Sequence, residues 1–262
     1  MRILVTGAAR AIGAATVDAL LARGHTVIAT ARDISTMPVH DQRVNLRLDV
    51  TDETSVSACL ADAGELDALV NNAAVQGAGP LDGFPLDRLR SMFETNTIGA
   101  LRVINAVLPA WRRRGSGVIV NVSSVQGQVA TPLEGPYAAT KYALEAISET
   151  LHYELGHFGI RTVIIQPGYI APGMKPSQRH HGADEYADLW QQWDGTDAKL
   201  NEGQGRPGPE LVGNAIADAI DAESTPLRVP VGADAELIMA TRKQLDDATF
   251  EATMRATLNL TW

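Results

Sequence analysis

The segment Ile3-Leu4-Val5-Thr6-Gly7-Ala8-Ala9-Arg10-Ala11-Ile12-Gly13 sets the architecture of the whole chain. Its apolar start reads as a short strand, its glycines as a turn, and Ile12, Val17, Leu20 and Leu21 as the apolar positions of a helix that Gly24 stops. Residues 26–30, rich in β-branched side chains, make a second strand. Strand, glycine turn, helix and strand form a βαβ unit, which implies a parallel sheet with right-handed crossovers. The alternation continues. Strands are expected at 45–48, 68–71, 117–122, 161–165 and 228–231, and helices near 54–63, 87–113, 137–158 and 209–222. Runs such as Val118-Ile119-Val120 suit strands covered on both faces. The expectation is one α/β domain over residues 1–262, a doubly wound parallel sheet with helices on both sides.

The 262 residues are 45% hydrophobic and 20% charged, enough for an ample core. A net charge of −9 argues against nucleic acid or an anionic membrane as partner, since both call for basic patches. Cys59 is the single cysteine, so no intramolecular disulfide can form; its Ala-rich surroundings suit a packed thiol. No apolar run approaches the roughly 20 residues of a membrane span. Met1 leads straight into a strand and leaves no room for a signal peptide. The chain is therefore expected to be soluble and cytoplasmic.

Residues 171–208 interrupt the alternation with Gly, Pro and polar residues, a length that suggests function. Within them Tyr186, Leu189, Trp190 and Trp193 fall at i, i+3, i+4 and i+7, one apolar stripe on a helix. That helix either packs on the domain or closes over a ligand, with Gly173, Gly182, Gly195, Gly203 and Gly205 letting the segment move. His180-His181 lacks a surrounding set of ligand-spaced residues, and no metal is expected.

Gly7, Ala11 and Gly13 sit where a strand turns into a helix, where free N–H groups and the helix dipole favour phosphate and glycine lets a dinucleotide's pyrophosphate approach the backbone. Tyr137 and Lys141 stand at i and i+4 of a helix, on one face. A neighbouring ammonium is expected to favour the phenolate and lower the tyrosine pKa towards neutrality, as general acid–base work requires. Ser124 adds a hydroxyl able to hold a substrate oxygen beside the phenol.

Thr6-Gly7-x-x-x-Ala11-Ile12-Gly13, Asn71-Asn72-Ala73-Ala74, Asn96, Ser124, Tyr137-x-x-x-Lys141 and Pro167-Gly168 together resemble the short-chain dehydrogenase/reductase (SDR) family, in order and spacing, over roughly residues 1–170. The resemblance implies a Rossmann-type fold and a division of labour. Tyr137 exchanges a proton with the substrate oxygen, and Ser124 rather than Ser123 orients the carbonyl. Lys141 holds the nicotinamide ribose, and Asn96 holds a water in the proton relay. Gly7, Arg10, Ile12, Gly13, Asn72, Ala73, Ala74, Pro167, Gly168 and Ile170 line the cofactor cleft, with Asp49 and Val50 at its adenine edge. The family's NAD-selecting aspartate position holds Ala31, followed by Arg32; with Arg10 this supplies two cations for a 2′-phosphate, so the cofactor is expected to be NADP(H). Asp33 is the counter-argument and keeps NAD(H) as the alternative. Two departures stand out. Ala11 replaces the family's middle glycine, and Pro172 takes the place of a threonine that touches the carboxamide.

The expected function is an NADP(H)-dependent oxidoreductase interconverting a secondary alcohol and a ketone or aldehyde. Tyr186, Trp190 and Trp193 as substrate-binding residues point to a bulky apolar ligand. The alternative from another class is a catalytically silent dinucleotide-binding sensor. The long helices over 87–113 and 137–158 suggest a homodimer or homotetramer.

Overall fold

A computed structural model describes residues 1–171, 179–200 and 205–262. Its strands are β1 (Arg2–Val5), β2 (Thr26–Ala31), β3 (Arg43–Arg47), β4 (Ala68–Asn71), β5 (Gly117–Val122), β6 (Ile160–Pro167) and β7 (Arg228–Val231). They form one parallel sheet in the order β3-β2-β1-β4-β5-β6-β7. The helices are α1 (Ala11–Ala22), α2 (Glu53–Ala63), α3 (Leu86–Phe93), α4 (Gly99–Arg114), α5 (Gly135–Gly156), α6 (Ala187–Leu200), α7 (Pro209–Asp221), α8 (Ala233–Gln244) and α9 (Asp247–Leu258). The fold is the expected Rossmann-type α/β architecture.

Strand periodicity divides the core in two. Successive side chains point to opposite faces of a sheet. Ile3 and Val5 of β1, with Val27 and Ala29 of β2, therefore pack on one side against Val17 and Leu20 of α1 and Val212 and Ile216 of α7. Leu4, Ile28, Leu69 and Ile119 face the other side, against Val56 and Cys59 of α2, Ile104 and Trp111 of α4, and Leu151 and Leu155 of α5. Cys59 is packed in this second core, and burial pushes its thiol up to about 11.

Two features depart from the sequence expectation. The continuous helix over 87–113 is interrupted by a π-helical segment, Glu94–Ile98, between α3 and α4. The chain also ends in two helices, α8 and α9, that were not anticipated; only Ala235, Met239 and Leu258 of them are buried. No helix among the described residues is long and apolar enough to cross a membrane.

The chain builds outward from β1 to β3, then returns to the far side of β1 with β4. Crossovers thus diverge from the carboxyl ends of β1 and β4, opening the crevice in which such sheets bind ligands. The glycine turn after β1 and the Asn71–Ala74 stretch after β4 meet there.

Candidate active site

Gly7 adopts φ +66°, and a Cβ on it would lie 2.9 Å from Ala73 Cα; one on Gly13 would lie 2.2 Å from the Gly7 carbonyl oxygen. No other residue fits the cradle. The Asn72 side chain locks it, donating to the carbonyls of Thr6 at 3.0 Å and Gly7 at 3.1 Å. The Thr6 hydroxyl accepts from the N–H groups of Asn72 and Ala73, both at 3.0 Å. Ala11 carries φ +47°, left-handed backbone that costs an L-residue about 1–2 kcal/mol. The glycine it replaces is thus missed in conformation as well as in volume. Helix α1 starts without a side-chain cap and without an acidic residue in its first turn, with exposed Arg10 at the N-cap. Open N–H groups at a positive helix end fit a phosphate-bearing group.

Arg32 follows β2 directly and is exposed, as is Asp33. The Asp33 carboxylate accepts from the Ser35 N–H at 2.9 Å, which holds its pKa below the usual range. Asp49 accepts from the Thr51 N–H at 3.0 Å and hydroxyl at 2.8 Å, and is likewise lowered, with Arg32 and Arg47 helping. Val50 follows Asp49 just beyond the carboxyl end of β3. Its side chain is packed in the core, a Gly99 Cβ would lie 2.8 Å from it, and its carbonyl is taken by Arg102 at 2.6 Å.

A cavity of about 570 Å³ joins the glycine turn to the acid–base residues; Ile12, Asn72 and Ala74 line one end, Ser124, Tyr137 and Lys141 its middle, and Pro167, Gly168 and Ile170 another wall. Ser124 follows β5, with its hydroxyl accepting from the Gln126 N–H at 3.1 Å. Ser124, not Ser123, is the hydroxyl that acts on the Tyr137 phenol, lowering its pKa. The Ser123 hydroxyl is buried without a partner among the described residues, on the side where a Gly127 Cβ would come within 2.6 Å. Lys141 Nζ donates to the Val122 carbonyl at 2.7 Å and lies 5.6 Å from the Tyr137 ring centroid.

The electrostatics correct the expected sign. Burial, then the charge of Glu134, push the Tyr137 phenol well above its ordinary value, and only the Ser124 hydroxyl pulls it back. Burial lowers Lys141 to about 8, with Glu145 opposing. Burial is the largest cause of both shifts: a poorly solvated site penalises phenolate and ammonium alike. Tyr137 is therefore held in its proton-bearing form.

Asn96 lies in the π segment and is fully buried. Its Oδ1 accepts from the Val75 N–H at 2.8 Å, and its Nδ2 donates to the Val75 carbonyl at 2.8 Å and to Thr140 Oγ1 at 3.0 Å. Thr140 in turn donates to the Tyr137 carbonyl at 2.8 Å. With both amide hydrogens on protein acceptors, this side chain clamps the start of α5.

The aromatic stripe divides. Trp193 lines the cavity. Trp190 and Leu189 instead pack with Ala78 and Leu133, and Trp190 Nε1 donates to the His181 carbonyl at 3.0 Å. Tyr186 donates to Asp82 at 3.3 Å and stacks on Trp262 at 6.0 Å. Tyr186 and Trp190 as substrate contacts are corrected accordingly, and the case for a purely apolar ligand goes with them. Pro172, Gly173 and Gly203 lie outside the described residues.

Several residues of the site were not singled out from the sequence. Gln76, Glu134, Arg179 and Asp194 line the cavity. Glu134 had a visible signal, a carboxylate three residues before Tyr137 in an otherwise uncharged loop. Asp234, in the first turn of α8, accepts from the Tyr169 N–H at 2.7 Å, and a Cβ on Gly168 would lie 2.1 Å from its Oδ2. It fixes the Pro167–Ile170 turn from the far end of the chain, and no signal for it precedes recognition of α8.

The comparisons agree with this geometry. The short chain dehydrogenase family matches residues 1–183. An uncharacterised oxidoreductase of Schizosaccharomyces pombe is 35% identical over 211 residues, 79% of this chain and 87% of that protein. Among solved structures, a short-chain dehydrogenase from Streptomyces avermitilis is 34% identical with a TM-score of 0.81, covering 98% of both chains. One from Burkholderia cenocepacia, in complex with NADP, is 26% identical with a TM-score of 0.78 over 100% of this chain and 98% of that one. The chain belongs to the short-chain dehydrogenase/reductase family. It is an oxidoreductase of the kind that uses a nicotinamide dinucleotide and a small-molecule substrate.

Proposed function

We propose that this protein interconverts a secondary alcohol and a ketone or aldehyde with NADP(H), using Tyr137 as the general acid and base. The observation that carries the reading is the convergence of Ser124, Tyr137 and Lys141 on one cavity continuous with the glycine turn. When bound, the nicotinamide dinucleotide supplies or accepts the hydride. In reduction the Ser124 hydroxyl orients the substrate oxygen, and the Tyr137 phenol, kept protonated by burial, donates its proton there. In oxidation the same atom takes the proton back. Lys141 places one N–H on the Val122 carbonyl and keeps two for ribose hydroxyls. Trp193 helps exclude water.

NADP(H) is favoured over NAD(H) because Arg32 stands exposed directly after β2, while the Asp33 carboxylate is engaged by Ser35. A 2′-phosphate suits guanidinium groups; a 2′-hydroxyl calls for a carboxylate. The test is a panel of carbonyl compounds with loss of NADPH absorbance, NADH in parallel, and Tyr137→Phe. The variant should lose about 10²–10⁴-fold in turnover while still binding NADPH. Wild-type kcat in Tyr137→Phe would remove Tyr137 from the mechanism. NADPH binding with no turnover across the panel would favour the sensor.

A further inference from the structure

Of the ionisable groups lining the cavity that the proposed chemistry does not use, Glu134 is the buried one; Tyr169 and Arg206 are half-buried, and Arg179 and Asp194 are exposed. Glu134 is 8% exposed. It stands at the N-cap of α5, yet its side chain makes no capping hydrogen bond, so the helix does not account for a carboxylate there. Its Oε2 accepts from Gln76 Nε2 at 2.9 Å. Its Oε1 has no hydrogen-bond partner among the described residues, and neither oxygen is in an ion pair among them. Arg179 attracts Glu134 at longer range. That guanidinium is already neutralised by Asp194 through contacts of 3.0 and 2.9 Å, and lies 5.1 Å from the Trp190 ring centroid. The oxygen that the protein leaves free opens to the cavity, where water satisfies it until a ligand donor takes the water's place. The cavity into which it is set is the one that holds Tyr137.

We propose that Glu134 selects the substrate by accepting a hydrogen bond from a hydroxyl or ammonium group carried beyond the reacting carbon. The preferred compounds are then hydroxy- or amino-substituted carbonyls and their alcohols, not unfunctionalised apolar ketones. This rests on the carbonyl–alcohol reading of the same site. Gln76 orients the carboxyl, and Trp193 supplies an apolar wall for the rest of the ligand. A site built to receive an N–H or O–H rejects the analogue that lacks it, because the carboxyl is left unpaired.

The test uses matched ketones that differ at one distal position, carrying hydroxyl, ammonium or methyl, with NADPH and the wild-type, Glu134→Gln and Glu134→Leu proteins. Wild type should favour the hydroxyl and ammonium compounds over the methyl one by about ten- to hundredfold in kcat/KM. Glu134→Gln should keep the hydroxyl preference and lose that for ammonium; Glu134→Leu should lose both. Thermal melts of the two variants check folding, and the near-isosteric Gln variant carries the test if Leu is not tolerated. A second arm measures binding of the same compounds by quenching of tryptophan fluorescence. An unchanged ranking in Glu134→Leu, or a wild-type preference for methyl, overturns the proposal. Turnover without ranking leaves the reaction standing and removes Glu134. Ranked binding that depends on Glu134, without turnover, removes the reaction and leaves Glu134 standing.

Discussion

Replacing Asn96 by alanine separates a structural clamp from a proton relay. The side chain makes three hydrogen bonds, two to Val75 and one to Thr140. Each is worth about 1 kcal/mol net, so Asn96→Ala should cost about 3 kcal/mol. For a chain of this size that lowers Tm by roughly 6–12 °C. Activity should fall as well, because Thr140 binds the Tyr137 carbonyl and transmits the loosening to the start of α5. Asn96→Asp sharpens the assay. It can still accept from the Val75 N–H, but as a carboxylate it faces the Val75 carbonyl without a proton. Its folded pKa should therefore be raised, so its stability relative to wild type is kept at low pH and lost as pH rises through that value. The measurement is a melt of both variants from pH 4 to pH 8, read as differences from wild type. A normal Tm in Asn96→Ala, with activity lost, would refute the clamp and favour the relay.

Arg32→Ala should weaken NADPH binding by about 1.5–3 kcal/mol, the size of a hydrogen bond to a charged group, and barely affect NADH; added salt should erode the preference, and a native preference for NADH would transfer the role to Asp33. Lys141 has a folded pKa of about 8 against an ordinary 10.5, so the unfolded chain binds more protons between those values and this group's stability contribution rises with pH there, being lost as pH falls through about 8. Melts of wild type and Lys141→Met should therefore converge from pH 7 to pH 10, and a gap that widens would contradict the burial effect. Trp193→Ala should raise KM, while Trp190→Ala should speed proteolytic cleavage around α6, since one lines the cavity and the other packs against Ala78 and Leu133; the opposite pattern would exchange their roles.

Most strands were legible because they are short apolar runs closed by glycine or a polar residue, and the alternation of Ile3, Leu4 and Val5 carries both cores; β3, Arg43-Val44-Asn45-Leu46-Arg47 at the sheet edge, is the mixed one and begins two residues before its expected start. Tyr137 and Lys141 were legible as a pair, since i and i+4 must share a helix face, whereas Ser124, beyond β5, was singled out over Ser123 only through the family's motif spacing. Other features had no one-dimensional trace. The π segment keeps helical apolar spacing on either side, so Glu94–Ile98 reads as unbroken helix. Helices α8 and α9 bury too few residues to show a stripe. The sign of the Tyr137 shift depends on depth of burial and on Glu134, and neither can be read from Tyr-x-x-x-Lys alone. The aromatic stripe was real, but periodicity shows only that residues share a face, not what the face meets.

The contact between Gly168 and Asp234 bears on how such enzymes can be recombined. The family match ends at residue 183, so the turn that walls the cavity and the carboxylate that braces it fall on opposite sides of any chimera joined near that point. A transplanted C-terminal third without an acid at position 234 would leave the Tyr169 N–H unbraced. A donor framework with any side chain at position 168 would collide with Asp234. The turn and its brace are thus inherited together here, and the transferable unit is the pair, not the segment.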